Sequence, residues 1–213
     1  MSSLRPLDLP TLRGLEVGLT ARMAPAVELP EVFSPAECAR IIALRESLGF
    51  DLAPIPTRST VDGPLRSHVV DRAVRRTERT HILSTPDHSW IYERLGASVE
   101  VANGQAWQFK LSYLEPLQLL AYPEDGWFDW HSDLGDRGVA SLRKVSASIL
   151  LSDPDTYEGG ELQLMNAGKE LVPGRSQGRA ILFPSFQNHR VLPVRRGTRH
   201  VLILWTVGRH PLR

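Results

Sequence analysis

Residues 117–133 read LQLLAYPEDGWFDWHSD, and the reading of this stretch decides the fold. Leu117 to Tyr122 has the length and apolar content of a buried strand. Pro123 to Gly126 is a turn signal, with Gly126 allowing a tight reversal. The segment after it ends on His131-Ser132-Asp133. Residues two apart in a strand share a face, so His131 and Asp133 are expected to look the same way.

Working outward, similar pieces recur from Trp107 onward: WQFKLSYL, LQLLAY, VSASILLS, GELQLM, RAILFPS, HRVLPV and HVLILWTV, punctuated by Gly, Pro, Asp and Asn. Short strands at this spacing predict a mainly β fold, a sandwich or jelly roll. The N-terminal half carries the helices. In VFSPAECARIIALRESLG, Ser34 is an N-cap, Pro35 suits the first helical position and Glu37 completes a capping box. Cys38, Ile41, Ile42 and Leu48 give this helix its apolar face, and Cys38 reads as a small buried hydrophobe. A shorter helix is expected over about 87–95. Residues 1–30 read as an irregular lead-in. The expected organisation is a lead-in and helical support region over 1–106 and a β core over 107–213, together one compact domain. Within the first part, residues 51–80 have broken periodicity and prolines at 54, 56 and 64, which predict a substrate flap. Arg72, Arg75, Arg76 and Arg79 cluster there and read either as a solvated face or as a basic rim.

The bulk numbers are those of an ordinary globular chain. Among 213 residues, 42% are hydrophobic and 23% charged, with a formal net charge of +1. That balance argues against a bulk nucleic-acid binder. A single cysteine excludes an intrachain disulfide and a Cys-rich zinc site. With no long apolar segment near the start or elsewhere, no membrane partner and a cytoplasmic location are the expectation.

His131 and Asp133 gain meaning from His189, in FPSFQNHRVLPV, and Arg199, ten residues further on. Two imidazoles and one carboxylate are the facial set of non-haem Fe(II) oxygenases, with positions left open for chemistry. Gly197 makes a turn, and Arg199 then opens a strand on which Val201, Ile203 and Trp205 share its face. A forked guanidinium in a confined site suits bidentate grasp of a carboxylate. Trp205 reads first as core and second as a wall of the iron site. His200 alternates with Arg199 and is expected to face outward. Gln118, Leu120 and Tyr122 share another strand face.

The pieces QLLAYPEDGWFDWHSD, RKVSASILLSDPDTYEGGELQL, ILFPSFQNHRVLPV and GTRHVLILW resemble, in this order, the prolyl 4-hydroxylase-like branch of the 2-oxoglutarate/Fe(II) oxygenases, in particular its bacterial PKHD-type hydroxylases. The resemblance implies a double-stranded β-helix with His131, Asp133 and His189 on Fe(II). It implies 2-oxoglutarate and O2 as co-substrates, with ascorbate as a stimulant. Arg199 would hold the distal carboxylate of 2-oxoglutarate, and Tyr122 would reach the same molecule. Gly159-Gly160-Glu161 matches a turn of the family. Relatives of the collagen and oxygen-sensor type carry a tyrosine where this chain has Leu150. That departure shifts polar contact with the co-substrate to Tyr122, Gln118 and Ser148, with Ser146 as a further candidate. Trp127 and Arg190, beside the metal motifs, are candidates for substrate contact. The expected reaction is hydroxylation of an unactivated C–H bond on a prolyl or other amino-acid residue of a peptide or protein, with release of succinate and CO2. Alternatives are a hydroxylase of a free amino acid or natural-product intermediate, and a cupin-like metal-binding protein without oxygenase activity. Asp133 argues against a halogenase, which needs that ligand position for chloride.

Overall fold

The computed structural model describes residues 23–52 and 75–209. Most of the expected lead-in and most of the expected flap, residues 1–22 and 53–74, lie outside the described residues. The elements before the midpoint are β1 (Val27–Leu29), α1 (Pro35–Leu48), β2 (Asp51–Leu52), β3 (Arg75–Arg76), β4 (Glu78–Ile82) and α2 (Ser89–Ala106). Then follow β5 (Tyr113–Leu114), β6 (Leu117–Tyr122), β7 (Trp127–His131), β8 (Arg143–Leu150), β9 (Glu158–Gly159) and β10 (Leu162–Asn166). The chain continues through β11 (Lys169–Leu171), β12 (Ala180–Pro184), β13 (His189–Val191), β14 (Val194–Arg196) and β15 (Arg199–Val207).

The strands form a large sheet in the order β1-β12-β8-β15-β6-β4-β2, with β5 also on β15, and a smaller one in the order β11-β10-β13-β7-β3. A short pair, β14 with β9, stands apart from both. This is the double-stranded β-helix architecture. Both sheets recruit strands from before residue 107, namely β1, β2 and β4 for the large sheet and β3 for the small one.

Strand alternation divides the large sheet into two faces. Leu117, Leu119, Val145, Ala147, Ile149, Leu182, Leu202 and Leu204 point outward and pack under the helices with Ile41, Ile91, Leu95 and Val99. Leu120, Tyr122, Leu150 and Val201 point inward and meet Val191, Phe128 and Leu162 from the small sheet. The antiparallel register sets the inner face in rows: Tyr122 beside Arg199, Leu120 beside Val201 beside Leu150, and Gln118 beside Ile203 beside Ser148. Val201 and Ile203 on β15 therefore have a fixed partner on each side, while Arg199 is paired with Tyr122 alone and Trp205 with Ser146 alone.

Helix α1 begins with the expected box: Glu37 N donates to Ser34 Oγ at 3.3 Å, and Ser34 N donates to Glu37 Oε2 at 2.8 Å. Cys38 is fully buried, and burial pushes its thiol up to about 11, so it packs as a hydrophobe. Helix α2 runs well past the expected end near residue 95. Leu95, Ser98, Val99 and Ala102 continue its buried face beyond Gly96, which costs a little propensity but does not stop a packed helix. Residues 107–112, expected as strand, are not. Asn103 instead holds the turn, its side chain donating to Phe109 O and accepting from Phe109 N, while Gln108 takes a left-handed φ of 56°.

Candidate metal centre and co-substrate site

His131 closes β7 and His189 opens β13, and the two face each other across the ladder. Their ring centroids are 4.1 Å apart. Asp133 does not sit on the strand: β7 ends at His131, and the carboxylate arrives from the turn that follows. That turn is pinned. Ser132 Oγ donates to Ser185 O at 3.0 Å, Leu134 N to Ser185 O at 2.8 Å, and Arg143 Nη1 to Asp133 O at 3.2 Å. Asp133 Oδ1 lies 3.8 Å from His131 Nε2, and Oδ2 lies 3.6 Å from His189 Nε2. Among the described residues these three form the group able to hold a metal, with ligand atoms all within 4.8 Å of one another. Three donors about 2.1 Å from one ion at octahedral angles stand roughly 3 Å apart, which small side-chain rotations reach from here.

The ring orientations suit a metal. His131 Nδ1 donates to Asp129 O at 2.7 Å, and His189 Nδ1 to Gln187 O at 3.0 Å. A carbonyl can only accept, so Nδ1 carries the proton in each ring and Nε2 keeps its lone pair for the centre. Burial, helped by the neighbouring His189, pushes His131 down to about 3, so its imidazole is neutral at pH 7. Burial alone would raise Asp133; the two imidazoles, the Trp205 N–H and the Ser146 hydroxyl outweigh it and hold the carboxyl below its usual range. The outcome is an anionic carboxylate beside two imidazole nitrogens, the donor set of a divalent N/O site.

A support layer stands behind Asp133. Arg143 is held by Glu115 through two bonds of 2.6 and 2.8 Å. Its guanidinium stacks 3.8 Å from the Trp205 ring. Trp205 Nε1 is buried with no hydrogen-bond partner of its own, and it faces the Asp133 carboxylate. Trp205 is buried with the core side chains, as expected, and its indole N–H is turned toward Asp133. Trp205→Phe keeps the stack and removes the N–H. Loss of such outer-layer partners commonly weakens metal affinity about tenfold or more. Competition with a calibrated chelator should show that loss, and unchanged affinity would remove Trp205 from this role.

Arg199 is 5% exposed and opens β15 on the inner face. Its Nη1 is buried without a hydrogen-bond partner. A fixed cation with an unused donor costs several kcal/mol inside a protein unless an anion meets it. The guanidinium lies 5.4 Å from the Tyr122 ring, and Tyr122 is its cross-strand neighbour. Gly160 explains itself here: a Cβ on it would stand 2.9 Å from both Arg199 Cδ and Val194 Cγ2, and its φ of +66° suits glycine. Beside Arg199 is a cavity of ≈ 160 Å³ lined also by Ser148, Leu150, Gly160, Glu161 and Ile181. Glu161 Oε2 is a second buried atom without a partner in this cavity wall. These orphaned atoms, a cation and an anion on one cavity, fit a small polar ligand.

Other expected residues fall elsewhere. Gln118 shares the inner face but does not line this cavity. Ser146 bonds Ser185 Oγ at 3.0 Å. Arg190 is turned away from the centre: it donates to Gln163 Oε1 at 2.6 Å and to Glu170 Oε1 at 2.9 Å, and stacks 4.6 Å from Trp130. Strand alternation requires this, because His189 beside it faces inward. At Trp127 a β-bulge interrupts the alternation. His131 pairs His189 while Phe128 pairs Val191, so three steps on β7 match two on β13. The bulge swaps the faces and brings Phe128, not Trp127, against His131, with ring centroids 3.6 Å apart. His200 faces away from Arg199 as expected but is half-buried, 3.4 Å from Ser152 Oγ. No helix among the described residues is long and apolar enough to cross a membrane.

Residues 117–207 match the 2OG-Fe(II) oxygenase superfamily. A PKHD-type hydroxylase of Shewanella sp. (strain MR-7) is 29% identical over 187 residues, covering 84% of this chain and 76% of that protein. A PKHD-type hydroxylase of Xylella fastidiosa (strain M23) is 32% identical over 139 residues, covering 59% of this chain and 60% of that protein. Among solved structures, a Pseudomonas putida prolyl-4-hydroxylase superposes with a TM-score of 0.65 at 19% identity, over 87% of this chain and 94% of that one. A Trichoplax adhaerens prolyl hydroxylase in complex with a hypoxia inducible factor peptide gives 0.69 at 16% identity, over 96% and 94%. At those identities the structures speak for the fold. Residues 117–207 therefore carry the 2OG-Fe(II) oxygenase domain, the relatives the chain resembles are PKHD-type hydroxylases, and the domain together with the His-Asp-His set marks an Fe(II)/2-oxoglutarate-dependent dioxygenase, with O2 as the second co-substrate.

Proposed function

We propose that this chain hydroxylates an unactivated C–H bond on a prolyl or other amino-acid residue of a peptide or protein, with 2-oxoglutarate converted to succinate and CO2. One observation carries the reading: partly buried His131 and Asp133 and buried His189 form a metal-holding set, and the inner face also carries a buried arginine, Arg199, whose Nη1 has no partner. His131, Asp133 and His189 would hold Fe(II), which supplies the oxidative chemistry when bound. Arg199 would clamp the distal carboxylate of 2-oxoglutarate, and Tyr122 would orient the same molecule. Ser148 adds a hydroxyl to the cavity wall. The neutral His131 and anionic Asp133 leave these side chains ready as ligands without a base among them, and hydrogen abstraction needs none.

The names of the relatives support a peptidyl or amino-acid substrate, since prolyl hydroxylases stand among the structural neighbours. A second reading, a free amino acid, is favoured by one feature, the buried Arg75, which no carboxylate pairs among the described residues. Succinate release should be screened against peptides and free amino acids, with product mass. The reading predicts a substrate that stimulates 2-oxoglutarate turnover and gains one oxygen atom. Turnover that no amino acid or peptide stimulates would contradict it. Tyr122→Phe should weaken 2-oxoglutarate by about 0.5–1.5 kcal/mol, the value of one hydroxyl hydrogen bond. Binding to the metal-loaded protein checks this, and an unchanged affinity would mean that the Tyr122 hydroxyl does not touch the co-substrate.

A further inference from the structure

Arg75 lies on β3, directly across from Phe128 on β7. Only 8% of it is exposed. Its guanidinium stands 4.5 Å from the centroid of the Phe128 ring, which in turn stacks 3.6 Å from the His131 ring. One aromatic ring thus links Arg75 to a metal ligand. Its neighbours in sequence are both paired with carboxylates: exposed Arg76 with Asp125 at 3.5 Å and half-buried Arg79 with Asp51 at 2.8 Å. Arg75 has only a hydroxyl, its Nε donating to Thr77 Oγ1 at 2.6 Å. No carboxylate pairs with it among the described residues. The charged or ionisable groups whose fields reach it are Tyr122, Asp133 and Asp51, with Arg79 opposing them.

Charge balance shows what is missing. A divalent ion with Asp133 carries one net positive charge, and Arg199 adds a second. The two carboxylates of 2-oxoglutarate cancel both. Glu161 on the cavity wall faces Arg175 at 4.0 Å, so among the described residues Arg75 is left over, a buried cation that no carboxylate pairs. Burying such a group unpaired costs stability, and the cost is recovered only when an anion docks. Phe128 shields one face of the guanidinium and leaves its edge, the donor fork, for a planar oxyanion.

We propose that Arg75 receives a carboxylate of the primary substrate. The substrate is then an amino acid with a free carboxylate, or a peptide that presents one next to the hydroxylated residue. This rests on the dioxygenase reading above and narrows its substrate class.

The test uses the full chain loaded with Mn(II) and saturating 2-oxoglutarate. Equilibrium dialysis compares N-acetylproline, N-acetylleucine and N-acetylglutamate with N-acetylprolinamide, N-acetylleucinamide and N-acetylglutamine amide, which carry no carboxylate. Retained 2-oxoglutarate is measured in the same cells. At least one acid should bind tenfold or more tightly than its amide. Arg75→Gln should erase that difference while 2-oxoglutarate stays bound, and Arg75→Lys should keep part of it. The melting temperature of Arg75→Gln should not fall, because an unpaired buried charge has been removed; a purely structural arginine would show the reverse. Three results would overturn the proposal: acids and amides binding alike in the parent, an acid preference that survives in Arg75→Gln, or loss of 2-oxoglutarate in that variant. Failure of the metal-loaded parent to retain 2-oxoglutarate would count against the dioxygenase site itself. The acid–amide comparison is read independently of it.

Discussion

His131→Ala should abolish stoichiometric Fe(II) binding and, with it, 2-oxoglutarate turnover. The ring supplies a neutral Nε2 whose direction is fixed by the bond from Nδ1 to Asp129 O. Alanine leaves one imidazole and one carboxylate, and no other described His, Cys, Asp or Glu belongs to the group. A water can fill the vacant position but brings neither the charge-donating nitrogen nor its fixed placement. The variant should still fold. It loses a ring that is 20% exposed and stacked on Phe128, but the hydrophobic layer beneath the helices is untouched. Anaerobic Fe(II) titration of parent and variant decides the matter, with circular dichroism to check the fold. Equal stoichiometric binding by both proteins would remove His131 from the metal set.

Arg199→Leu should weaken 2-oxoglutarate by roughly 2–5 kcal/mol, about 30-fold or more. The side chain is 5% exposed and its Nη1 has no partner, so the ligand supplies what the protein lacks. Leucine fills much of the same space without the donors. Because the lost charge had no counter-ion, the metal-free variant should be at least as stable as the parent. Arg199→Lys should recover only part of the affinity, since an ammonium cannot make the forked contact. Calorimetry with the Mn(II)-loaded protein measures both. If Arg199→Leu binds 2-oxoglutarate as well as the parent, the clamp lies elsewhere.

The two largest effects fall on residues that the sequence exposes, and the reason is strand alternation. Arg199, Val201, Ile203 and Trp205 can be assigned to one face by counting in twos, and the register of β15 with β6 and β8 matches that count. The same rule turns Arg190 away from His189, toward Gln163 and Glu170. Counting fails where the ladder is irregular. From His131, alternation places Trp127 on the iron side, and the bulge on β7 replaces it with Phe128. A bulge has no reliable signature in residue type, so only the pairing reveals it. Asp133 reached the site for a different reason than spacing: a turn held by Ser185 and Arg143, two residues far along the chain.

Arg75 was hidden by company. Four arginines in eight positions read as a solvated face or as a basic rim for an acidic substrate, and which member is buried depends on a ladder between β3 and β7 that spans about fifty residues. The support from Glu115, Arg143 and Trp205 was hidden by the same kind of distance. By contrast, the start of α1 was legible to the residue, because a capping box is local, whereas Leu48, expected on its apolar face, is 45% exposed in the last turn. Local rules fixed the start of a helix and the face of a regular strand. Long-range pairing decided which charges were buried and which rings met.

The central claim is that one metal ion, held by His131, Asp133 and His189, creates the 2-oxoglutarate site together with Arg199. Its most direct test is anaerobic binding of 2-oxoglutarate to the parent chain, with and without Fe(II). The account predicts one molecule per chain bound tightly when Fe(II) is present, and much weaker binding when it is withheld. Equal affinity in both conditions would contradict it.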